Sequence, residues 1–210
     1  MRYPVEPRIP AKLEDTDFKE LSGQIEGVRI SGLSQAGANL PRLEVTATVM
    51  EDVEVSSCKL KQSSVMDSIF KNCLFFGSDF DGSYFTRVRL EKGVASGLVA
   101  TDCTIKDVSF VGVKLNLCNF RFAKLSHVRF VDCDLRESDF MQAELTDVSF
   151  EGCEMQGTDL SDTKFKRVDM RGSEIGRIRG VLGMRGVIID TTQLIGLSEV
   201  FATEIGLEIQ

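Results

Sequence analysis

Residues 106–165 read KDVSF VGVKL NLCNF RFAKL SHVRF VDCDL RESDF MQAEL TDVSF EGCEM QGTDL SDTKF. The last residue of each group of five is Phe, Leu or Met. Working outward, that position stays apolar from Ile25 to Ile175, with Gln35 as the one exception. Two residues earlier the chain is equally restricted: Val108, Val113, Cys118, Ala123, Val128, Cys133, Ser138, Ala143, Val148, Cys153, Thr158 and Thr163 are all small or β-branched. Amphipathic helices repeat near 3.6 residues and half-buried strands at 2, so a period of five with two inward positions fits neither. It fits short extended steps joined by corners.

A longer period sits on the shorter one. Val88-Arg-Leu90, Val108-Ser-Phe110, Val128-Arg-Phe130, Val148-Ser-Phe150 and Val168-Asp-Met170 recur every twenty residues, so four steps make a coil. Coils stacked at the ~4.8 Å of paired strands place residues twenty apart side by side. Such a solenoid is stable only through stacking.

The pattern resembles that of the pentapeptide-repeat family: a small residue, a polar one, Leu or Phe, then two variable positions. Ser138-Asp-Phe140-Met-Gln and Thr158-Asp-Leu160-Ser-Asp carry the resemblance most closely, and it covers roughly residues 23–175. It implies an all-β fold, a right-handed four-sided β-helix of about seven and a half coils, roughly 37 Å long at strand spacing. The departures are Gln35, the bulky Leu33, Leu43 and Leu98 at the small position, and the weak stretch Gly93 to Ala100; distorted coils or a local irregularity are expected there.

The chain of 210 residues, 42% hydrophobic and 27% charged, suits one elongated domain with a narrow core. Residues 1–22 read as an N-terminal cap: Pro4, Pro7 and Pro10 forbid regular pairing, and Leu13, Phe18 and Leu21 could cover the first coil. Residues 23–175 form the β-helix, and 176–210 a C-terminal turn, helix and tail. In this last segment Gly180, Gly183 and Gly186 mark turns and Val187-Ile188-Ile189 reads as a final extended step. Asp190 or a neighbouring Thr N-caps a helix with Leu194, Leu197, Phe201 and Ile205 on one face, and Gly206 ends it. The plain expectation is a capping helix. The resemblance adds another, because some family members that bind DNA topoisomerases end similarly and form a homodimer through this end.

Catalysis is not expected. The six cysteines, Cys58, Cys73, Cys103, Cys118, Cys133 and Cys153, all fall on the small inward position, where a thiol acts as a compact hydrophobe. Their spacing matches no zinc motif, and neither metal nor cofactor is expected. The single histidine, His127, faces outward in register with Asp107 and Asp147, as an ion pair would. No glycine-rich phosphate loop is present. Met1 to Pro10 lacks the apolar stretch of an export signal, and no segment approaches the ~20 apolar residues of a membrane span, so a cytoplasmic protein is expected.

The outer surface is where the register becomes informative. On the side of Leu135 and Met155, Asp134, Glu154 and Glu174 form a vertical row. On the next, Asp139 and Asp159 form another, with Asp132, Glu137, Glu151 and Asp162 nearby against only Arg136. The other two sides collect Lys124, Arg129, Lys164, Lys166, Arg167 and Arg171. This acidic wall is either a solvated face or a surface for a basic protein groove. The resemblance supplies a candidate partner, since some family members mimic B-form DNA and bind gyrase, a type II topoisomerase; direct nucleic-acid binding is not implied. A second possibility is a scaffold that uses outward apolar residues: Met66, Ile69, Leu74 and Phe76, the pair Val111 and Val131, and the corner residues Leu117 and Phe122.

Overall fold

The computed structural model describes residues 2–16 and 21–208. Twelve strands wind into one parallel sheet: β1 (Glu14–Asp15), β2 (Gln24–Glu26), β3 (Val28–Ser31), β4 (Glu44–Thr46), β5 (Val49–Glu51), β6 (Ser64–Lys71), β7 (Tyr84–Glu91), β8 (Thr104–Val111), β9 (Lys124–Val131), β10 (Glu144–Glu151), β11 (Lys164–Asp169) and β12 (Val187–Ile188). From β6 to β11 each strand pairs with the one twenty residues away, Leu125 against Leu145 and Phe130 against Phe150, so one coil is one layer of a four-sided β-solenoid.

Each long strand covers two sides of the coil. The first side carries Ile105, Leu125 and Leu145 inward and the second Phe110, Phe130 and Phe150; the third (Leu115, Leu135, Met155) and fourth (Phe120, Phe140, Leu160) pair through single bridges. Every residue two past a central one, from Gly27 to Arg177, has positive φ, which turns the chain at each corner. Most of these residues are not glycine. A left-handed backbone costs an ordinary L-residue roughly 1–2 kcal/mol, so stacking must hold the corners in place.

The core is a column of side chains from the central positions. Phe110, Phe130 and Phe150 stack face to face at 4.8 and 4.9 Å, and Phe120 lies on Phe140 at 4.7 Å. Each such burial contributes on the order of 1.5–3 kcal/mol. The small position has a second duty besides size. Cys118 Sγ donates to the Ala95 carbonyl at 3.0 Å, Thr158 Oγ1 to Leu135 at 2.9 Å and Thr163 Oγ1 to Phe140 at 2.7 Å, each reaching twenty-three residues back to the coil beneath.

The distorted coil expected over Gly93 to Ala100 is regular: bridges Leu74↔Val94↔Lys114 and Asp79↔Val99↔Asn119 run straight through it. Its irregularity is one of volume. An apolar cavity of about 70 Å³ runs along the lumen between Leu21 and Phe120, and Ala95 and Ala100 are the shortest central side chains on its wall. Gln35, at a central position, turns its Oε1 to the Leu21 N–H at 2.6 Å and so satisfies the end of the core.

The repeat also runs past Ile175, with Ile178 buried and Arg179 bridged to Asp159. Gly180 takes the next central position, where a Cβ would stand 2.6 Å from the Ser161 nitrogen, and the apolar pattern stops there. The chain then makes a 3₁₀ turn over Val181–Gly183, adds β12, and enters α1 (Thr191–Gly196) and α2 (Ser198–Glu204). Asp190 caps α1 in a reciprocal capping box with Gln193, and Gly206, at φ 79, ends α2 with Leu207 N–H bonded to the Ala202 carbonyl.

The four apolar residues expected on one helix face divide. Leu197 is fully buried at the break between the two helices and Phe201 packs half-buried on the core, whereas Leu194 and Ile205 are exposed. The break rotates α2 relative to α1, which spoils a single stripe. No helix among the described residues is long and apolar enough to cross a membrane.

At the other end, Glu14 and Asp15 pair with Val28 and Arg29 and Leu21 is buried against the first coil, while Phe18 lies outside the described residues. Residues 2–8 do not cover that coil. They run along the flank of the rod, where the N–H groups of Arg2, Val5 and Arg8 donate to Asp147, Asp107 and Asp67.

Candidate functional site

The third and fourth sides and the corners that bound them bring together the acids singled out from the sequence, except Glu151, which ends β10 on the second side. Asp134, Glu154 and Glu174 form one bridged row and Asp139 and Asp159 another. Their charge is less free than the rows suggest. Arg136 donates to Asp134 at 2.7 Å and reaches Glu154 at 3.2 Å, and this contact holds the Asp134 carboxyl below its usual range.

Arg136 is not the only base. Arg179 pairs with Asp159 at 3.1 Å, Arg121 with Asp139 at 3.7 Å, and Arg129 on the second side takes Glu151 at 2.6 Å, lowering its pKa. Arg179 could have been found by counting twenty on from Asp159, but the apolar period had already ended.

Asp132, Glu137 and Asp162 stand apart. They occupy successive corners around these sides, are exposed, and make no ion pair among the described residues. Gly152, one coil above Asp132, leaves room for that carboxylate, since a Cβ there would lie 2.5 Å from Asp132 Oδ1.

The apolar candidates split as well. Phe76, Leu117 and Phe122 are exposed, Met66 and Leu74 marginally so, and Val111 stacks on Val131 through the strand register. Leu117 and Phe122 hold φ of 59 and 61, an unfavourable conformation for bulky residues. At the C-terminal end Leu194, Ile195, Ile205 and Leu207 are all more than half exposed.

The thiols are sequestered. Burial pushes Cys73 up to about 11 and Cys103 and Cys118 up to about 12, so none of these supplies a thiolate near neutral pH. Among the described residues no cluster of His, Cys, Asp or Glu could hold a metal ion. His127 lies between Asp107, at 3.3 Å, and Asp147, at 3.6 Å.

A four-sided parallel solenoid built on a five-residue step, with a filled apolar core and each coil in contact with its neighbours, is a repeat-protein architecture. The family profile described as Pentapeptide repeat region matches residues 85–160 and 103–179, and the chain belongs to the pentapeptide-repeat proteins. Among solved structures, a trypsin-treated form of QnrB1, a plasmid-mediated fluoroquinolone resistance protein, is 19% identical, with 93% of this chain and 96% of that one covered and a TM-score of 0.45. HetL, a pentapeptide repeat protein involved in heterocyst differentiation regulation from the cyanobacterium Nostoc sp. strain PCC 7120, is 12% identical over 78% of this chain and 90% of that one, with a TM-score of 0.34. These likenesses concern the fold alone. A search of curated proteins finds no match.

Proposed function

We propose that this protein is a non-catalytic binding rod that presents its third and fourth sides to a basic protein surface, with a type II topoisomerase as the candidate partner. The observation that carries the reading is the set of exposed, unpaired carboxylates Asp132, Glu137 and Asp162, which flank the partly neutralised rows of Asp134, Glu154, Asp139 and Asp159. Unpaired charges attract a partner at the least cost, because no internal ion pair has to be broken first.

The test is DNA gyrase supercoiling with rising amounts of purified protein at low and moderate salt. A salt-sensitive change in gyrase activity that disappears in the combined Asp132→Lys, Glu137→Lys, Asp162→Lys variant is expected. No effect at any concentration removes the topoisomerase from the reading.

The exposed end formed by Leu194, Ile195, Ile205 and Leu207 supports a homodimer through the C-terminal segment. Ile205→Asp then sediments as a monomer where the parent sediments as a dimer. A second reading, a scaffold for an apolar partner, is favoured by Leu117 and Phe122, bulky apolar residues exposed at neighbouring corners. Partner capture that survives the triple charge reversal and fails with Leu117→Ser and Phe122→Ser selects it.

A further inference from the structure

The corner between the first and second sides, remote from the acidic rows, carries a ladder of alternating charge: Asp67, Arg87, Asp107, His127, Asp147 and Arg167, one residue per coil. Arg87 grips Asp67 with two bonds of 2.6 Å, Arg167 grips Asp147 at 2.6 and 2.5 Å, and His127 sits between Asp107 and Asp147. The three carboxylates are buried and held in one orientation. Each turns its Oδ1 to the amino-terminal arm, receiving the N–H of Arg8 at 3.0 Å, Val5 at 3.2 Å and Arg2 at 3.3 Å in turn.

The spacing is a match between two helices of different kinds. The donors recur every third residue and the acceptors every fortieth, which is every second coil. A polyproline II helix advances ~3.1 Å per residue, so three residues span about 9.3 Å. Two coils at strand spacing span about 9.6 Å. Proline at 4, 7 and 10 sets φ in the last residue of each triplet and restricts the residue before it to extended geometry.

The other two positions of each triplet also have defined places. Pro4 and Pro7 are half-buried. The middle residues meet a row on the second side that steps by the same forty: the Arg129 guanidinium lies 5.6 Å from the Tyr3 ring and Arg89 lies 3.6 Å from Glu6. Polyproline II helices have no internal hydrogen bonds, so their N–H groups are free for such a reader.

We propose that this corner is a binding groove for polyproline II segments with proline at every third residue, and that residues 2–10 occupy it as its resident ligand. The occupant it takes in their place is a segment of the same chemistry on a partner protein. The groove reads the spacing of prolines through the coil repeat, and favours an arginine at the first position of the triplet, as at Arg2 and Arg8, beside the buried carboxylates.

Two measurements test this on the full-length chain. In the wild type, amide hydrogen exchange is expected to be at least tenfold slower at Arg2, Val5 and Arg8 than at Tyr3, Glu6 and Ile9; equal rates would overturn the groove. In a Pro4→Gly, Pro7→Gly, Pro10→Gly variant whose melting curve matches the parent's, the arm is loosened and a fluorescein-labelled peptide of residues 2–10 can enter. It should bind at least tenfold more tightly than to the wild type, and at least tenfold more tightly than a peptide of equal composition with prolines at uneven spacing. Adding Asp107→Asn should reduce binding by a similar factor. Absence of saturable binding, or equal binding of the misspaced peptide, overturns the proposal.

Discussion

Thr163 Oγ1 donates to the main-chain carbonyl of Phe140 at 2.7 Å, joining the small position of one coil to the central position of the coil beneath. The same carbonyl also accepts the Ala143 N–H at 2.9 Å, so removing the hydroxyl costs the net worth of one hydrogen bond, about 0.5–1.5 kcal/mol. Thr163→Val, close in volume, should lower the melting temperature by roughly 1–6 °C at the ~2–4 °C per kcal/mol of a chain this size. Thr163→Ser should recover most of that loss in the same calorimetric experiment.

The cavity beside Ala95 and Ala100 predicts the opposite sign. Voids cost about 24 cal/mol per Å³, so one of about 70 Å³ represents a loss of up to about 1.7 kcal/mol. Ala100→Val adds two carbons directed at the void and should raise the urea midpoint without changing the slope of the transition. Gly93→Ala, nearby in sequence, should destabilise, because a Cβ there would approach the Cys73 carbonyl to 2.7 Å.

Acid should lower the stability of the rod while the arm's buried carboxylates stay ionised. The Arg167 guanidinium holds the Asp147 carboxyl far below its usual range, and the Arg2 N–H adds to that effect; the Arg87 guanidinium lowers Asp67 in the same way. A depressed native pKa contributes stability that is present above the unfolded value near 3.9 and is lost as pH falls below it. Thermal stability should therefore be flat from pH 5 to 8 as far as these groups are concerned and should decline below about pH 4, whereas the Arg2 amide should keep its protection until Asp147 itself is protonated, well below that. Asp147→Asn should shift that decline and weaken Arg2 protection even at neutral pH.

Thiol labelling provides a check on the core. Cys73, Cys103 and Cys118 combine burial with raised pKa, so a disulfide exchange reagent at pH 7.5 should modify them no faster than the chain unfolds. Rapid native-state modification of Cys103 would show that the lumen opens.

The coil was legible because both of its periods are written in side-chain size. Phe130 and Phe150 must stack, and only an apolar residue can do so at a buried central position. Rows such as Asp134 and Glu154 followed by counting. Ion pairing did not, since Arg121 reaches Asp139 diagonally across coils and Arg179 lies after the apolar period has ended. The cap helices looked like one stripe because sequence spacing does not disclose the break at Leu197. Pro4, Pro7 and Pro10 exclude regular pairing by their chemistry alone; their positive signal is the spacing of three, whose meaning depends on the rise of the solenoid they lie against.

The arm also determines the order in which the molecule comes apart under tension. A solenoid pulled by its end ordinarily sheds coils one at a time. Here an unfoldase that grips the amino end does not meet a coil first. It must strip Arg2 from Asp147, then Val5 from Asp107, then Arg8 from Asp67, travelling back along four coils before load reaches β1 and its partner β3. A degradation machine engaging this end therefore begins with three short peeling steps that leave the sheet untouched, and a chain released during them can re-dock its arm with every strand still in register.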